Sequence, residues 1–113
     1  MNLQVQRVDS PSGPAVIAAT GELDVYTAPR LREVLDAEPA GAGLVVDLSG
    51  LDFIDSTGLG VIVATHQRLS DGGGRLALAI GSDRVERPFK LAGLLGVLNI
   101  HPDVAAASRS VGS

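Results

Sequence analysis

Cysteine and tryptophan are both absent from the 113-residue sequence. Without thiols the chain has no disulfide, no thiolate metal ligand and no cysteine nucleophile, which is typical of a cytoplasmic protein. Histidine is scarce as well, since His66 and His101 are the two that occur. Neither lies in a spacing with acidic residues that is typical of a metal site. We therefore expect a cytoplasmic protein without a bound metal or other cofactor.

Aromatic and basic residues are also few. The whole aromatic set is Tyr26, Phe53 and Phe89, so the core must consist mainly of aliphatic side chains. Nine basic residues against thirteen acidic ones give a net charge of -4. A nucleic-acid-binding surface needs a basic stripe, usually with stacking aromatic residues. The composition therefore argues against a nucleic-acid partner.

Long apolar runs are missing too. None approaches the ~20 residues that span a bilayer, and the first seven residues lack the charged start and apolar core of a signal peptide. We therefore expect no membrane insertion. The length predicts one domain, 1–113, with its folded core at about 3–107 and a frayed polar tail at 108–113.

Five segments have the patterns of β-strands. Residues 3–8 alternate apolar and polar side chains, and a loop rich in Ser, Pro and Gly separates them from 15–20, which predicts a hairpin. Residues 44–48 are nearly all aliphatic, as in a central strand that is covered on both faces. We expect residues 21–24 to break the second strand and a turn to follow the third. The predicted strands are 3–8, 15–20, 44–48, 75–80 and 97–100.

Helices are predicted between and after these strands. The first helix begins near Thr27, and the second follows Ser56 and runs to about Leu69. The third lies within 84–91, where Pro88 starts or interrupts it, and the last spans 102–107. On the second helix, the predicted buried stripe is Leu59, Ile62, Val63 and His66. Strands that alternate with helices predict an α/β fold, a mixed and mostly parallel sheet of four to five strands packed with about four helices.

Ser56 stands where the chain changes from strand to helix. Either Asp55 or Ser56 is a suitable N-cap, which is typically worth about 1 kcal/mol. With Thr57, however, this run supplies more capping oxygens than one helix end needs. Gly58 costs about 0.8–1.0 kcal/mol against alanine inside a helix, so a close approach to the backbone would explain its presence. From the residues alone, Ser56 is a helix cap, a nucleophile or a phosphate acceptor.

Enzyme sites find little support in the sequence. A nucleophile elbow needs glycine two residues before the serine, where this chain has Ile54. His66 lies about 15 Å from Ser56 by helical rise, and His101 precedes a proline near the chain end. The triplet 72–74 is glycine, but it follows a helix and lacks the lysine of a phosphate loop, which favours a flexible turn. We expect no enzymatic activity and keep a serine hydrolase as a remote alternative.

Three segments together resemble a known family. The central one is Ile54-Asp55-Ser56-Thr57-Gly58-Leu59-Gly60-Val61, which follows Val45-Val46-Asp47-Leu48. The others are Gly21-Glu22-Leu23-Asp24 with Thr27-Ala28-Pro29, and Leu91-Ala92-Gly93-Leu94 with Val97 and Ile100. Their order and motifs are similar to those of bacterial anti-sigma-factor antagonists, which are small single-domain members of the STAS family. The resemblance covers about residues 3–107.

This resemblance implies a phosphorylation switch. Ser56 would be phosphorylated by a partner that is both an anti-sigma factor and a serine kinase, with Thr57 as the alternative acceptor. The unphosphorylated protein would bind that partner and free a sigma factor, which takes part only indirectly, and a serine phosphatase would reset the phosphorylated form. Asp24 would lie beside the serine and support both binding and phosphorylation. The implied partner-binding residues are Asp24, Asp55, Ser56, Thr57, Gly58, Leu59 and Gly60.

Two further expectations concern the surroundings of Ser56. Glu22, Asp24, Asp52 and Asp55 should make this corner acidic, so we expect a partly cationic partner surface. Tyr26 is expected to pack at the entrance of the first helix. Within the same family, the alternative is a STAS subunit of another assembly, such as a lipid transporter or a stress-signalling complex, that is not phosphorylated.

Overall fold

The computed structural model describes residues 2–11 and 13–111. Five strands and four helices make up this part of the chain, in agreement with the predicted α/β fold. The strands are β1 (Leu3–Val8), β2 (Ala15–Leu23), β3 (Gly43–Ile54), β4 (Arg75–Ala79) and β5 (Ile100–His101). The helices are α1 (Ala28–Asp36), α2 (Ser56–Asp71), α3 (Asp83–Leu91) and α4 (Val104–Val111). Ser12, in the predicted loop, lies outside the described residues.

The strands form one mixed sheet in the order β1-β2-β3-β4-β5. β1 pairs antiparallel with β2, which confirms the predicted hairpin, and every later pairing is parallel. Each parallel step needs a right-handed crossover, so α1, α2 and α3 share one face of the sheet. They cover the main aliphatic core, while α4 covers a smaller cluster around Val45 and Ala77 on the other face. This topology places the start of α2 directly after the central strand, at the carboxyl edge of the sheet.

The second and third strands are longer than the sequence predicted. β2 continues to Leu23 because Gly21 takes a positive φ of 104° and the next residue, Glu22, still donates its N–H to Asn2 O at 2.8 Å. β3 has no turn after residue 48 and runs to Ile54. Over the stretch where the two strands pair, β3 has more residues than β2. The register between them therefore shifts twice, the second time at Asp52. The glycines that suggested breaks therefore lie at irregularities within continuous strands.

The other helices and the last strand also differ in detail from the prediction. α3 begins at Asp83, so Pro88 lies inside the helix and neither starts nor interrupts it. The last strand is limited to Ile100–His101. α4 begins at Val104 and continues to Val111, so residues 108–111 are helical and not frayed, while 112 and 113 lie outside the described residues.

The buried side of α2 is rotated from the predicted one. Ile62 is buried as expected, but Leu59, Val63 and His66 are only partly buried. The stripe that faces the core is instead Gly58, Val61, Ile62, Thr65 and Leu69. Thr65 can face inward because its hydroxyl donates to Val61 O at 2.9 Å. A polar residue and a glycine within the stripe explain why hydrophobicity alone misplaced it.

The triple glycine 72–74 forms the predicted turn between helix and strand. Gly73 has a positive φ of 84° and donates its N–H to Ser70 O, and Gly74 donates to Leu69 O at 2.7 Å. These two bonds close the end of α2 in a Schellman motif. A side chain at Gly72 would meet Ala40, so the turn is packed against the preceding loop. Its glycines have a structural explanation that needs no bound phosphate.

Candidate functional site

Ser56 is the first residue of α2, and its side chain is exposed. The helix is capped by Asp55, whose Oδ1 accepts the Gly58 N–H at 3.0 Å. Ser56 is therefore free of the capping role that the sequence left open for it. The first N–H groups of a helix have no intrahelical acceptor, so those of Ser56 and Thr57 remain beside the serine hydroxyl. An anion at this position would meet these donors and the positive end of the helix dipole.

Asp55 also joins the start of α2 to the segment that follows β2. Its second oxygen, Oδ2, accepts the Val25 N–H at 3.1 Å, and its own N–H donates to Leu23 O at 3.1 Å. One carboxylate thus holds a helix end with one oxygen and a neighbouring loop with the other. The segments 22–27 and 52–60 consequently form a single surface at the carboxyl edge of the sheet.

Asp24 is buried at the base of this surface. Its Oδ1 accepts the N–H groups of Tyr26 at 2.9 Å and Thr27 at 3.0 Å, while its own N–H donates to Thr27 Oγ1. Burial raises the pKa of Asp24, but the hydrogen bonds from Thr27 and Tyr26 outweigh it and lower the pKa below the usual value. Asp24 is therefore an ionised residue that fixes the turn before α1. A direct role toward Ser56 stays a prediction.

The two glycines after Ser56 have different surroundings. Gly58 is buried, and a Cβ there would lie 2.7 Å from Leu23 Cγ and 3.0 Å from Ile54 Cγ1. The close approach that explains Gly58 is therefore made by the core of the protein itself. Gly60 is exposed, and a Cβ there would meet no atom within 4 Å in the described chain. Leu59 between them is partly buried against the main core.

Three exposed apolar side chains lie on the segments 22–27 and 52–60, which also contain Ser56, and we call Val25, Tyr26 and Phe53 the apolar rim. Tyr26 is 75% exposed, so the expectation that it packs at the entrance of α1 is wrong. Phe53 is 48% exposed because the register shift at Asp52 turns both Asp52 and Phe53 toward solvent. Sequence reasoning missed Phe53 because it predicted a turn in this part of β3. No local pattern in Leu51-Asp52-Phe53-Ile54 shows this exposure, because it follows from the register of β3 against β2.

Residues 2–107 match the STAS domain family. The chain belongs to this family. A curated relative, the anti-sigma-B factor antagonist of Bacillus subtilis, is 39% identical over 101 residues, which cover 88% of this chain and 92% of the relative. An anti-sigma factor antagonist from Mycobacterium paratuberculosis has a TM-score of 0.88 at 27% identity, over 99% of this chain and 96% of that one. Unphosphorylated SpoIIAA, an anti-sigma factor antagonist, shares the fold with a TM-score of 0.76 at 23% identity, over 97% of this chain and 98% of its own.

The resemblance read from the motifs is thus confirmed for the STAS fold and family. Of the implied partner-binding residues, Ser56, Thr57 and Gly60 are exposed, and Asp55 and Leu59 are partly exposed. Asp24 and Gly58 are buried beneath them. The structure therefore brings all seven positions to one corner of the STAS domain. Their contact with a partner stays a prediction.

The corner carries acidic residues without counterions. Glu22 and Asp52 lie on the adjoining strands, and Asp55 lies at the helix start. Throughout residues 2–11 and 13–111, the four salt bridges pair Arg7 with Asp9 and Glu38, and Arg32 and Arg68 with Asp36. None of them neutralises the corner. Its negative field is therefore available to attract a cationic surface.

Neither histidine provides a base for Ser56 in the described part of the chain. His66 is on the third turn of α2, and His101 on β5 is hydrogen-bonded through Nε2 to Asn99 Oδ1 at 2.8 Å. Between residues 2 and 111, Ser12 excepted, we find no group of three metal-ligating side chains and no helix long and apolar enough to cross a membrane.

Proposed function

We propose that this protein is an anti-sigma factor antagonist controlled by phosphorylation of Ser56. In its unphosphorylated form it binds an anti-sigma factor that is also a serine kinase, and a sigma factor is released as a result. Phosphorylation ends this binding, and a serine phosphatase restores the active form. The sigma factor does not contact the STAS domain. All these events take place in the cytoplasm and require no catalysis by the protein itself.

One observation carries the proposal: Ser56 is exposed at the start of α2 while Asp55 performs the capping. A serine that capped the helix would have its hydroxyl hydrogen-bonded to the backbone, and a kinase would have to break this bond to reach it. Here Asp55 makes the capping bond, so the hydroxyl of Ser56 is available to a kinase. The names of the relatives support the choice of partner, since the Bacillus subtilis protein is an antagonist of an anti-sigma factor.

A phosphate on Ser56 would alter the interface far more than the fold. Phosphoserine adds about -1.5 to -2 charges at neutral pH. Within the protein the phosphate meets the helix N-terminus, which stabilises an anion by about 0.3–1 kcal/mol. Within a closed interface, an uncompensated buried charge costs about 3–5 kcal/mol, which is more than a hundredfold in affinity. The same modification is therefore tolerated by the free protein and rejected by the complex.

The test is phosphorylation by purified candidate anti-sigma kinases from the same genome, with ATP, followed by peptide mapping with mass spectrometry. We expect one phosphate, on Ser56. Ser56→Ala should bind the kinase but accept no phosphate, whereas Ser56→Asp should bind poorly because a charge replaces the hydroxyl.

Thr57→Ala is the matched control, since Thr57 is the neighbouring exposed hydroxyl. It should accept phosphate at the wild-type stoichiometry. Phosphate on Thr57, or equal binding by Ser56→Ala and Ser56→Asp, would contradict the proposed switch.

A further inference from the structure

We propose that the apolar rim, Val25, Tyr26 and Phe53, is the anchor by which the anti-sigma partner holds the STAS domain. This inference rests on the proposed function and extends it to residues outside the family motif around Ser56. The partner surface that fits is an apolar cleft bordered by Lys or Arg side chains.

The distribution of aromatic residues is the first argument. The chain has three, and Phe89 is fully buried in the core, as expected of a large apolar side chain. The other two, Tyr26 and Phe53, are 75% and 48% exposed and stand at the corner that carries Ser56. Aromatic residues are enriched among the few side chains that supply most of the energy of a protein interface. Two exposed aromatic residues in so aliphatic a protein therefore indicate a binding surface.

The rim is also held in place before any partner arrives. Val25 is fixed by its N–H bond to Asp55, and Tyr26 by its N–H bond to Asp24 Oδ1 at 2.9 Å. Phe53 belongs to β3 and pairs with Glu22 of β2. Because the backbone at all three positions is already ordered, binding loses little conformational entropy there. The hydrogen bonds of Asp24 and Asp55 thus position the rim, which gives both residues a role in binding without direct contact.

Charge defines the rest of the partner surface. Glu22 and Asp52 flank the rim on the paired strands and have no salt-bridge partner in the described residues. A partner that placed only apolar groups here would bury carboxylates without compensation, which is unfavourable. Basic residues around the apolar cleft remove this cost and orient the complex. In such a complex these basic residues are already paired with Glu22 and Asp52, so a phosphate on Ser56 would enter the interface without a free cation to neutralise it.

A second exposed apolar group provides an internal control. Leu91, at the end of α3, is 79% exposed and therefore more exposed than any residue of the rim. The loop after α3 leads to the start of β5, and β5 is parallel to β4. Leu91 therefore lies toward the amino edge of the sheet, whereas Ser56 follows the carboxyl end of β3. Truncation of Leu91 removes a similar apolar surface far from the proposed interface.

The experiment measures the affinity of unphosphorylated variants for the kinase that phosphorylates Ser56, by calorimetric titration. Tyr26→Ala and Phe53→Ala should each weaken binding by about tenfold or more, and Leu91→Ala should leave it within about twofold of wild type. Tyr26→Phe should bind nearly as tightly as the wild type, because we propose that the aromatic ring of Tyr26, and not its hydroxyl, makes the contact. Thermal unfolding of each variant shows whether the fold is intact, and the mostly exposed ring of Tyr26 makes Tyr26→Ala the decisive variant.

The outcomes separate the inference from the function on which it rests. If Ser56→Asp loses binding while Tyr26→Ala and Phe53→Ala bind like wild type, the anchor is wrong and the proposed function stands. If Leu91→Ala weakens binding as much as Tyr26→Ala, the rim is not the specific anchor. If Ser56→Asp binds as well as Ser56→Ala, or no anti-sigma kinase binds the wild type, the proposed function fails and the anchor fails with it.

Discussion

At the scale of single residues, Gly58 and Gly60 show that two glycines of one motif serve different purposes. The Leu23 side chain packs against the backbone of Gly58, so internal packing leaves no room for a side chain at this position. Gly60 has open space where a side chain would be, although it lies inside a helix and is exposed. Glycine at such a position lowers the stability of the helix without any gain in packing. We infer that Gly60 lets the partner approach the backbone of α2 closely.

Alanine substitutions separate the two roles. Gly58→Ala should destabilise the protein by about 1–3 kcal/mol because the new methyl group overlaps Leu23. Gly60→Ala should stabilise it by up to about 1 kcal/mol, through helix propensity, and yet weaken binding to the kinase partner. Chemical denaturation and calorimetric titration measure the two effects. Wild-type affinity in a stabilised Gly60→Ala variant would show that no partner approaches this position.

At the scale of elements, the Ser56 corner depends on contacts between β2, β3 and α2. Asp55 directly follows β3, caps α2 and accepts the N–H of Val25 after β2, so three elements are joined at one residue. A cap at Asp55 or Ser56 was predictable, because an Asp-Ser-Thr run before an apolar helix is a local signal, and the structure assigns it to Asp55. The bond to Val25 was not, because its two residues are thirty positions apart. The exposure of Phe53 was likewise hidden, since it follows from the register between two strands.

Substitutions of Asp55 test this connection. Asparagine keeps one accepting oxygen and is a good N-cap, so Asp55→Asn should retain the bond to Gly58 and lose the bond to Val25. Amide hydrogen exchange should then accelerate at Val25 and remain slow at Gly58. Asp55→Ala loses both bonds, so exchange should accelerate at both residues and stability should fall by about 1 kcal/mol. Unchanged exchange at Val25 in Asp55→Asn would contradict the connection.

At the scale of the whole molecule, the sequence was most informative where its patterns are local or repeated. Alternation in 3–8 and the aliphatic run at 44–48 predicted the hairpin and the central strand, and both are confirmed. The extension of β3 to Ile54 was missed because glycine and serine after residue 48 resemble a turn, while pairing with β2 keeps them in the strand. The buried face of α2 was missed for a similar reason. Gly58 and Thr65 face inward because of their tertiary neighbours, which no local pattern shows.

At the same scale, the position of Ser56 is compatible with the proposed switch, because a modification there need not unfold the protein. The core lies beneath α1–α3 and beneath α4, while Ser56 stands outside both clusters at the edge of the sheet. Charge added there does not enter the core. The phosphorylation that we propose would therefore act on the surface formed by 22–27 and 52–60, which is the surface that we propose the partner covers.

The most direct test compares wild-type protein with and without phosphate on Ser56 in calorimetric titrations with its kinase partner, together with thermal unfolding of both forms. We predict that phosphorylation lowers the affinity more than a hundredfold while the unfolding temperature stays nearly unchanged. Equal affinities for the two forms would contradict the switch. A loss of affinity accompanied by unfolding would show that the phosphate acts on the fold and not on the interface.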